Sequence, residues 1–271
     1  METADEPDPR PLTAMVAELG TIVSVWAHPD DETYLAGGIM ALAAANGQRV
    51  VCVCATEGEH GTGDPHTWPP ARLGRVRRWE AAAAMAILGV ADHRWLGYAD
   101  GSLADLDAAG PVDRLGQLLS EVRPDTILTF GPDGTTFHPD HQTISGWVGR
   151  AWQAAGRPGR LLHAAASEEH LRQWGDRYEE WGIYMTSERP VGFPAARLAV
   201  HVQLSGRILD QKIAALCAMY TQTAPALAAF GEADFRAVNA RESYVAAADP
   251  DQFGATNSRP SSRTTSASEY S

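Results

Sequence analysis

Six histidine and aspartate side chains fall in two short clusters that lie far apart along the chain. They are His28-Pro29-Asp30-Asp31 and His138-Pro139-Asp140-His141. His28 and Asp31 stand three apart, a spacing that on a turn lets an imidazole nitrogen and a carboxylate oxygen converge on one ion at about 2.0 to 2.2 Å. A third ligand has to come from elsewhere, and the second cluster supplies candidates. Three N/O ligands and a water form the open tetrahedral arrangement of catalytic zinc, whereas structural zinc is usually closed by four cysteines or histidines. The three cysteines, Cys52, Cys54 and Cys217, form no CxxC knuckle and no even disulfide set.

Asp30 and Asp31 are consecutive, so their side chains diverge. One can bind the metal while the other faces the attacking water. A bound zinc lowers the pKa of its water toward about 7, and a neighbouring carboxylate can take the proton as the water attacks an acyl carbon. The oxyanion that forms needs positive charge or donors, which the metal and a protonated His138 can provide, with Asp140 orienting His138 and favouring its charged form. A DDE run at the start of a helix also acts as a cap against the macrodipole, worth about 0.3 to 1 kcal/mol per charge. Two histidine-acid clusters at matching positions go beyond capping.

Both clusters need strand ends to hold them. The run TIVSVW (21–26) reads as a buried strand that ends in AHPDDE, and the following TYLAGGIMALAAANG has helical spacing with a stop at Asn46-Gly47. RVVCVCAT (49–56) is nearly continuous in apolar residues, as in a parallel strand covered on both faces. Cys52 and Cys54 share one face of it and read as core thiols. Residues 57–70 are rich in Gly and Pro, and the length of this loop places it beside a site. A helix is expected from Ala71 through Gly89, a short strand at 93–96, a helix at 112–122 and a buried strand at 125–130 that leads into the second cluster. Beyond residue 160 the pattern predicts strands at LLHAAAS and 198–204, a Trp-rich insertion at 174–185 and a helix from Gly206. The alternation predicts an α/β fold, a Rossmann-like doubly wound, mostly parallel sheet with helices on both faces, whose sites lie beyond the carboxyl ends of the strands. The expected organisation is an N-terminal extension (1–19), a single domain (20–248) and a disordered tail (249–271) rich in Ser, Thr, Pro and Gly.

Composition narrows the partners. The chain has 271 residues with 22 Lys and Arg against 34 Asp and Glu, a net charge of −12, so no generally basic, phosphate-tracking surface is expected and nucleic acid is a poor partner. No stretch approaches the roughly 20 apolar residues needed to span a bilayer, and the start METADEPDPR lacks the order of a secretion signal. A cytoplasmic enzyme without membrane partners is expected. The sequence gives no oligomeric state.

AHPDDE (27–32) together with HPDH (138–141) resembles the LmbE-like, or PIG-L-like, zinc N-deacetylases. CATEGEHGTG (54–63), RRWEAAAAMAILG (77–89) and LGYADG (96–101) are similar to further pieces of that family, so the resemblance runs from about residue 20 to about 222. It implies hydrolysis of an acetamido group, commonly on a glucosamine unit. It gives the ligand role for one Zn2+ to His28, Asp31 and His141, with other divalent transition metals able to occupy such a site. It makes Asp30 the general base, His138 the charge stabiliser or acid and Asp140 its orienting partner. It also puts Arg77 and Asp100 on sugar hydroxyls.

Two positions depart from the family pattern. Thr136 stands where some members place a tyrosine, and Met219 stands where a histidine is frequent, with Tyr220 the nearest substitute. His60 and His66 sit in the 57–70 loop, and Trp68, Trp174 and Trp181 can form an apolar platform for a sugar or a larger acyl chain. The leading expectation is removal of an N-acetyl or N-acyl group from a GlcNAc-type sugar in a small metabolite or glycoconjugate. Two alternatives use the same residues: an amidase acting on a larger amide such as a thiol conjugate, and a catalytically silent sugar-binding module.

Overall fold

The computed structural model describes residues 11–247. The expected tail (249–271) and residues 1–10 of the expected extension lie outside the described residues. The rest of that extension is not peripheral. A short helix α1 (Leu12–Ala17) places Val16 in the core, and Leu19 follows it, both essentially fully buried.

Seven strands form one sheet: β1 (Ile22–Trp26), β2 (Val50–Thr56), β3 (Asp92–Tyr98), β4 (Thr126–Phe130), β5 (Arg160–Ala164), β6 (Val200–Gln203) and β7 (Arg241–Ala246), in the order β3-β2-β1-β4-β5-β7-β6. The first five run parallel, and β7 is antiparallel to both β5 and β6. Every residue of β1, β2 and β4 is buried, as their largely apolar runs suit strands covered on both faces. Each Val, Ile or Leu so buried contributes about 1.5 to 3 kcal/mol. On one face α2 (Asp31–Ala45), α3 (Pro70–Leu88) and α7 (Gly206–Ala218) pack together; on the other, α4 (Ala109–Val122) packs on α5 (Pro139–Ala154). The strand order reverses between β1 and β4, and this switch point is where a doubly wound sheet opens a crevice. α2 leaves the end of β1 and α5 follows the end of β4, so the two histidine clusters face each other across it.

The region read as a Trp-rich insertion is a helix, α6 (Glu168–Trp181), capped by the Ser167 side chain accepting from the His170 N–H. After α7 come α8 (Tyr220–Phe230), α9 (Glu232–Val238) and β7, elements that the sequence reading left undivided. Among the described residues no single helix is long and apolar enough to cross a membrane.

The α2 helix is patched from outside. The Lys212 ammonium donates to the Tyr34 carbonyl at 2.7 Å, and the Tyr244 hydroxyl donates to the Leu35 carbonyl at 2.7 Å. Four residues on, the Gly38 and Ile39 N–H groups donate to the two Glu242 carboxylate oxygens at 2.6 and 2.8 Å. These are the carbonyl and amide positions that a regular i to i−4 ladder would pair with each other, so side chains from α7 and β7 enter the ladder there. Lys212 and Glu242 also pair at 2.8 Å with both side chains fully buried. Glycine at 38 is required because a Cβ there would run into Leu204. The device fixes the helix that begins at Asp31 against the far side of the sheet.

Removing one partner of a buried pair leaves an uncompensated charge, so Lys212→Met is expected to destabilise the protein by about 3 to 5 kcal/mol. A urea midpoint close to that of the unsubstituted protein would show that the pair contributes little.

Candidate metal centre

The turn after β1 is strained at its centre. Asp30 has φ 116° and ψ −36°, a conformation rarely adopted by residues other than glycine. It is held from three sides. The Asp30 N–H donates to Glu32 Oε2 at 3.0 Å, its carbonyl accepts from the Thr33 and Tyr34 N–H groups at 2.9 Å, and Arg77 Nη2 donates to the Pro29 carbonyl and reaches Asp30 Oδ2 at 3.3 Å. The outcome is that Asp30 and Asp31, though adjacent, both line one cavity.

The second turn brings its own constraint. Gly134, Thr135 and Phe137 all have positive φ, and Pro139 opens α5 with His138 as its cap. The His141 ring stacks on Phe130 with centroids 4.1 Å apart, and its Nδ1 donates to the Gly134 carbonyl at 2.9 Å. That hydrogen bond leaves the Nε2 lone pair facing the crevice.

His28 Nδ1, His141 Nε2 and the Asp31 carboxylate form a triangle. Its edges are 3.1 Å between the imidazole nitrogens, 3.5 Å from His28 Nδ1 to Asp31 Oδ2 and 3.4 Å from His141 Nε2 to Asp31 Oδ1. Donors held tetrahedrally at about 2.0 to 2.2 Å from an ion lie about 3.3 to 3.6 Å apart, so the donor set fits a small divalent ion. On the other edge of the His28 ring, Nε2 meets Asp100 Oδ1 at 3.0 Å and Asp140 Oδ2 at 3.3 Å. Those carboxylates could in principle form a second donor set with His28. Their oxygens are already used: Asp100 Oδ2 accepts from the His60 N–H at 2.8 Å, and Asp140 accepts from the Gly101 and Leu103 N–H groups at 2.8 and 3.1 Å. They orient the imidazole in the way that outer carboxylates orient metal-bound histidines. Cys52, Cys54 and His93 also bring ligand atoms together, but none of them lines the cavity.

The charges follow this layout. Burial opposes a charge on His28, yet hydrogen bonds that its ring donates to Asp100, Asp140 and Asp31 outweigh it and hold the ring well above its ordinary pKa. Burial likewise opposes ionisation of Asp31, but His141 and His28 bring it down to about 2. Asp30 goes the other way: burial, opposed by Arg77 and reinforced by Asp31, lifts it to about 7. Burial and the Asp30 charge lift Glu32 to about 8, and burial drops His141 to about 4.

One expected pairing changes. Asp140 does not bring a carboxylate to His138. Its carboxylate turns to His28, and only its backbone N–H reaches His138, donating to Nδ1 at 3.1 Å. Burial and the His28 charge lower the His138 pKa, and because Nδ1 accepts from the Asp140 N–H, the proton of a neutral ring sits on Nε2. Asp100 meets His28 and accepts from the His60 N–H, and the buried Arg77 donates Nη1 to the Gly58 carbonyl at 2.7 Å and reaches Asp30 with Nη2, while both residues line the cavity. Tyr220 is 71% exposed and does not line the cavity, so it does not take the place of a histidine at the buried Met219. His60 and Trp181 do line it, Trp174 lies in a neighbouring apolar cluster, and Trp68 borders a separate small pocket. Sequence reasoning missed Glu32, which fixes the Asp30 turn although it ends the AHPDDE motif. It also missed Tyr34, one helical turn beyond Asp31 and on the cavity wall.

A family model described as PIG-L: GlcNAc-PI de-N-acetylase matches residues 23–152. A Thermobispora bispora protein named 1D-myo-inositol 2-acetamido-2-deoxy-alpha-D-glucopyranoside deacetylase is 31% identical over 244 residues, 74% of this chain and 78% of that one. The chain belongs to the PIG-L family. A Streptomyces avermitilis protein of the same name is 38% identical over 207 residues, 66% of each chain. The N,N'-diacetylchitobiose deacetylase of Pyrococcus horikoshii shares the fold, with a TM-score of 0.58, 18% identity and coverage of 84% of this chain and 83% of that one. Both clusters of this PIG-L family chain, 28–31 and 138–141, fall inside the matched span.

If Asp100 and Asp140 act through His28, then Asp100→Asn and Asp140→Asn each weaken metal binding by roughly 10- to 100-fold. Competition with a coloured chelator reads this directly. Unchanged affinity in both variants would return these residues to the roles expected from sequence.

Proposed function

We propose that this chain is a zinc-dependent hydrolase that removes the acetyl group from a GlcNAc-type amino sugar carried in a small conjugate. The observation that carries the reading is the triangle of His28 Nδ1, His141 Nε2 and Asp31, open toward a cavity that Asp30 and His138 also line. Two imidazoles and one carboxylate are a donor set suited to catalytic zinc. The named relatives, which act on an acetamido-glucopyranoside of inositol, support the choice of substrate class.

Bound there, zinc acts as a Lewis acid toward the acyl oxygen and lowers the pKa of the attacking water toward about 7. The protein's own groups do the rest. Asp30 accepts the proton of the attacking water and passes it to the departing sugar nitrogen, completing the exchange of the C–N bond for a C–O bond. In the metal-free site burial lifts the Asp30 carboxyl to about 7, and a carboxylate held beside the attacking water is suited to take and return its proton. Arg77 positions Asp30 and keeps its strained turn closed. His138 Nε2–H donates to the oxygen that gains negative charge, the task that a tyrosine at 136 would share. Thr136 instead lies 3.3 Å from His141 Nδ1 and helps to hold that ring.

Zinc-loaded protein is expected to release acetate from N-acetylglucosaminyl conjugates, to lose this activity with a chelator and to regain it with zinc. Asp30→Asn should keep zinc and lose about 10²-fold or more in kcat, the usual contribution of a general base. An unchanged kcat would remove Asp30 from the mechanism, and activity that survives complete metal removal would remove zinc from it.

A further inference from the structure

The cavity is much longer than the acetamido group needs. Its volume of about 1030 Å³ lies at the top of the roughly 300 to 1,000 Å³ typical of pockets that enclose drug-sized ligands. It starts at His28, Asp30 and His141 and continues between α6, α8 and the paired strands β5 and β7. Along that stretch Leu171, Tyr178, Trp181, Ile183 and Phe230 provide an apolar wall.

Set into the lining are polar atoms that nothing in the protein satisfies. Among the described residues, Tyr34 Oη, His163 Nε2, Arg241 Nη1 and Arg77 Nε are buried and have no hydrogen-bond partner, and all four residues line this one cavity. Arg77 belongs to the metal end, beside Asp30, and the other three come from three different elements, α2, β5 and β7. Buried polar atoms are nearly always paired, so three orphans sharing one space point to something that pairs them there.

Arg241 is prepared for the task. Its Nε donates to Gln203 Oε1 at 2.8 Å and its Nη2 to Glu169 Oε1 at 2.9 Å, which fixes the plane of the guanidinium and leaves Nη1 as the donor on offer. On β5, His163 pairs in register with Val245, and Arg241, Ser243 and Val245 alternate along β7 with all three lining the cavity. Burial lowers the His163 pKa to about 4, so its ring is neutral near pH 7. The Tyr34 ring meets Phe235, another lining residue, at 6.5 Å.

We infer that this far arm is an aglycone subsite: it takes the part of the substrate attached beyond the amino sugar, an apolar segment bearing an oxygen acceptor that Arg241 and His163 bind. The inference rests on the proposed deacetylation for the placement of the sugar, and adds which conjugates the enzyme selects. The acceptor is a carboxylate or an uncharged hydroxyl or carbonyl oxygen, and these differ only in how strongly Arg241 holds them.

The test compares four substrates with the zinc-loaded protein: N-acetylglucosamine, its octyl glycoside, and octyl glycosides ending in a hydroxyl or a carboxylate. kcat/KM is expected to rise about 10-fold or more from the free sugar to the octyl glycoside. It should rise again with a terminal oxygen, the carboxylate arm exceeding the hydroxyl arm if the acceptor is charged. Arg241→Met should reduce the ratio of kcat/KM for the carboxylate-ended over the plain octyl glycoside by roughly 10- to 100-fold, and His163→Leu should reduce it in the same direction. Equal rates across the panel in the unsubstituted protein would overturn the inference, as water alone would then be satisfying the three atoms. A preference that follows the length of the N-acyl chain and ignores the aglycone would overturn it too. If no member of the panel releases acetate, the deacetylase reading is what fails. Calorimetric binding of the four corresponding free amines then decides the subsite separately: the same order of affinities sustains it, and equal or absent binding refutes it.

Discussion

Asp31, Asp100 and Asp140 all turn a carboxylate toward the single buried imidazole of His28, and the rest of the site depends on how that concentration of negative charge is balanced. Carboxylates removed from water remain ionised only beside a cation or a set of hydrogen-bond donors. Backbone N–H groups of His60, Gly101 and Leu103 satisfy Asp100 and Asp140, which then fix the Nε2 edge of the ring. The Nδ1 edge, with Asp31 and His141, is left as the place where positive charge is needed. Ion affinity, ring orientation and the separate roles of Asp30 and Asp31 all derive from that division.

The fold meets this demand with rigid parts and two strained turns. Parallel strands β1 and β4 lie side by side in fixed register, so the segments that leave them emerge together at the switch point. Positive φ at Asp30 on one turn and at Thr135 and Phe137 on the other rotates side chains inward that ordinary turns would spread apart. The cost of such conformations, about 1 to 3 kcal/mol each, has to be offset by surrounding contacts. Glu32 and Arg77 supply them at Asp30, and the Lys212–Glu242 pair stabilises the helix behind it.

Much of this arrangement was legible in the residues. The largely apolar runs 21–26, 49–56 and 125–130 point to parallel strands, and a histidine-acid cluster following the first and last of them marks the crevice. The spacing of His28 and Asp31 pointed to a shared ion because ligand geometry is short-range and local. The partners of the site were harder to read, since a buried hydrogen bond leaves no periodic trace. Asp100 reads as an ordinary turn acid before Gly101, and Arg77 as one of several arginines on a helix. The β7 residues RESYVA (241–246) mix charge with β-formers, yet they provide Glu242 to a helix two hundred residues earlier and Arg241 to the far cavity. Such long-range pairings depend on strand order, which no local pattern encodes. Thr136 was noticed for what it lacks; its contact with His141 emerged only from the turn's geometry.

The central claim is that one ion joins the two turns, and X-ray absorption at the zinc edge tests it most directly. With one equivalent of zinc, the account predicts a shell of light N and O atoms at about 2.0 to 2.2 Å with the outer scattering of two imidazoles, falling to one imidazole in His141→Ala. A sulfur shell at about 2.3 Å, the zinc–thiolate distance, would move the ion to Cys52 and Cys54, and two imidazoles persisting in His141→Ala would separate the two turns; either result would contradict the account.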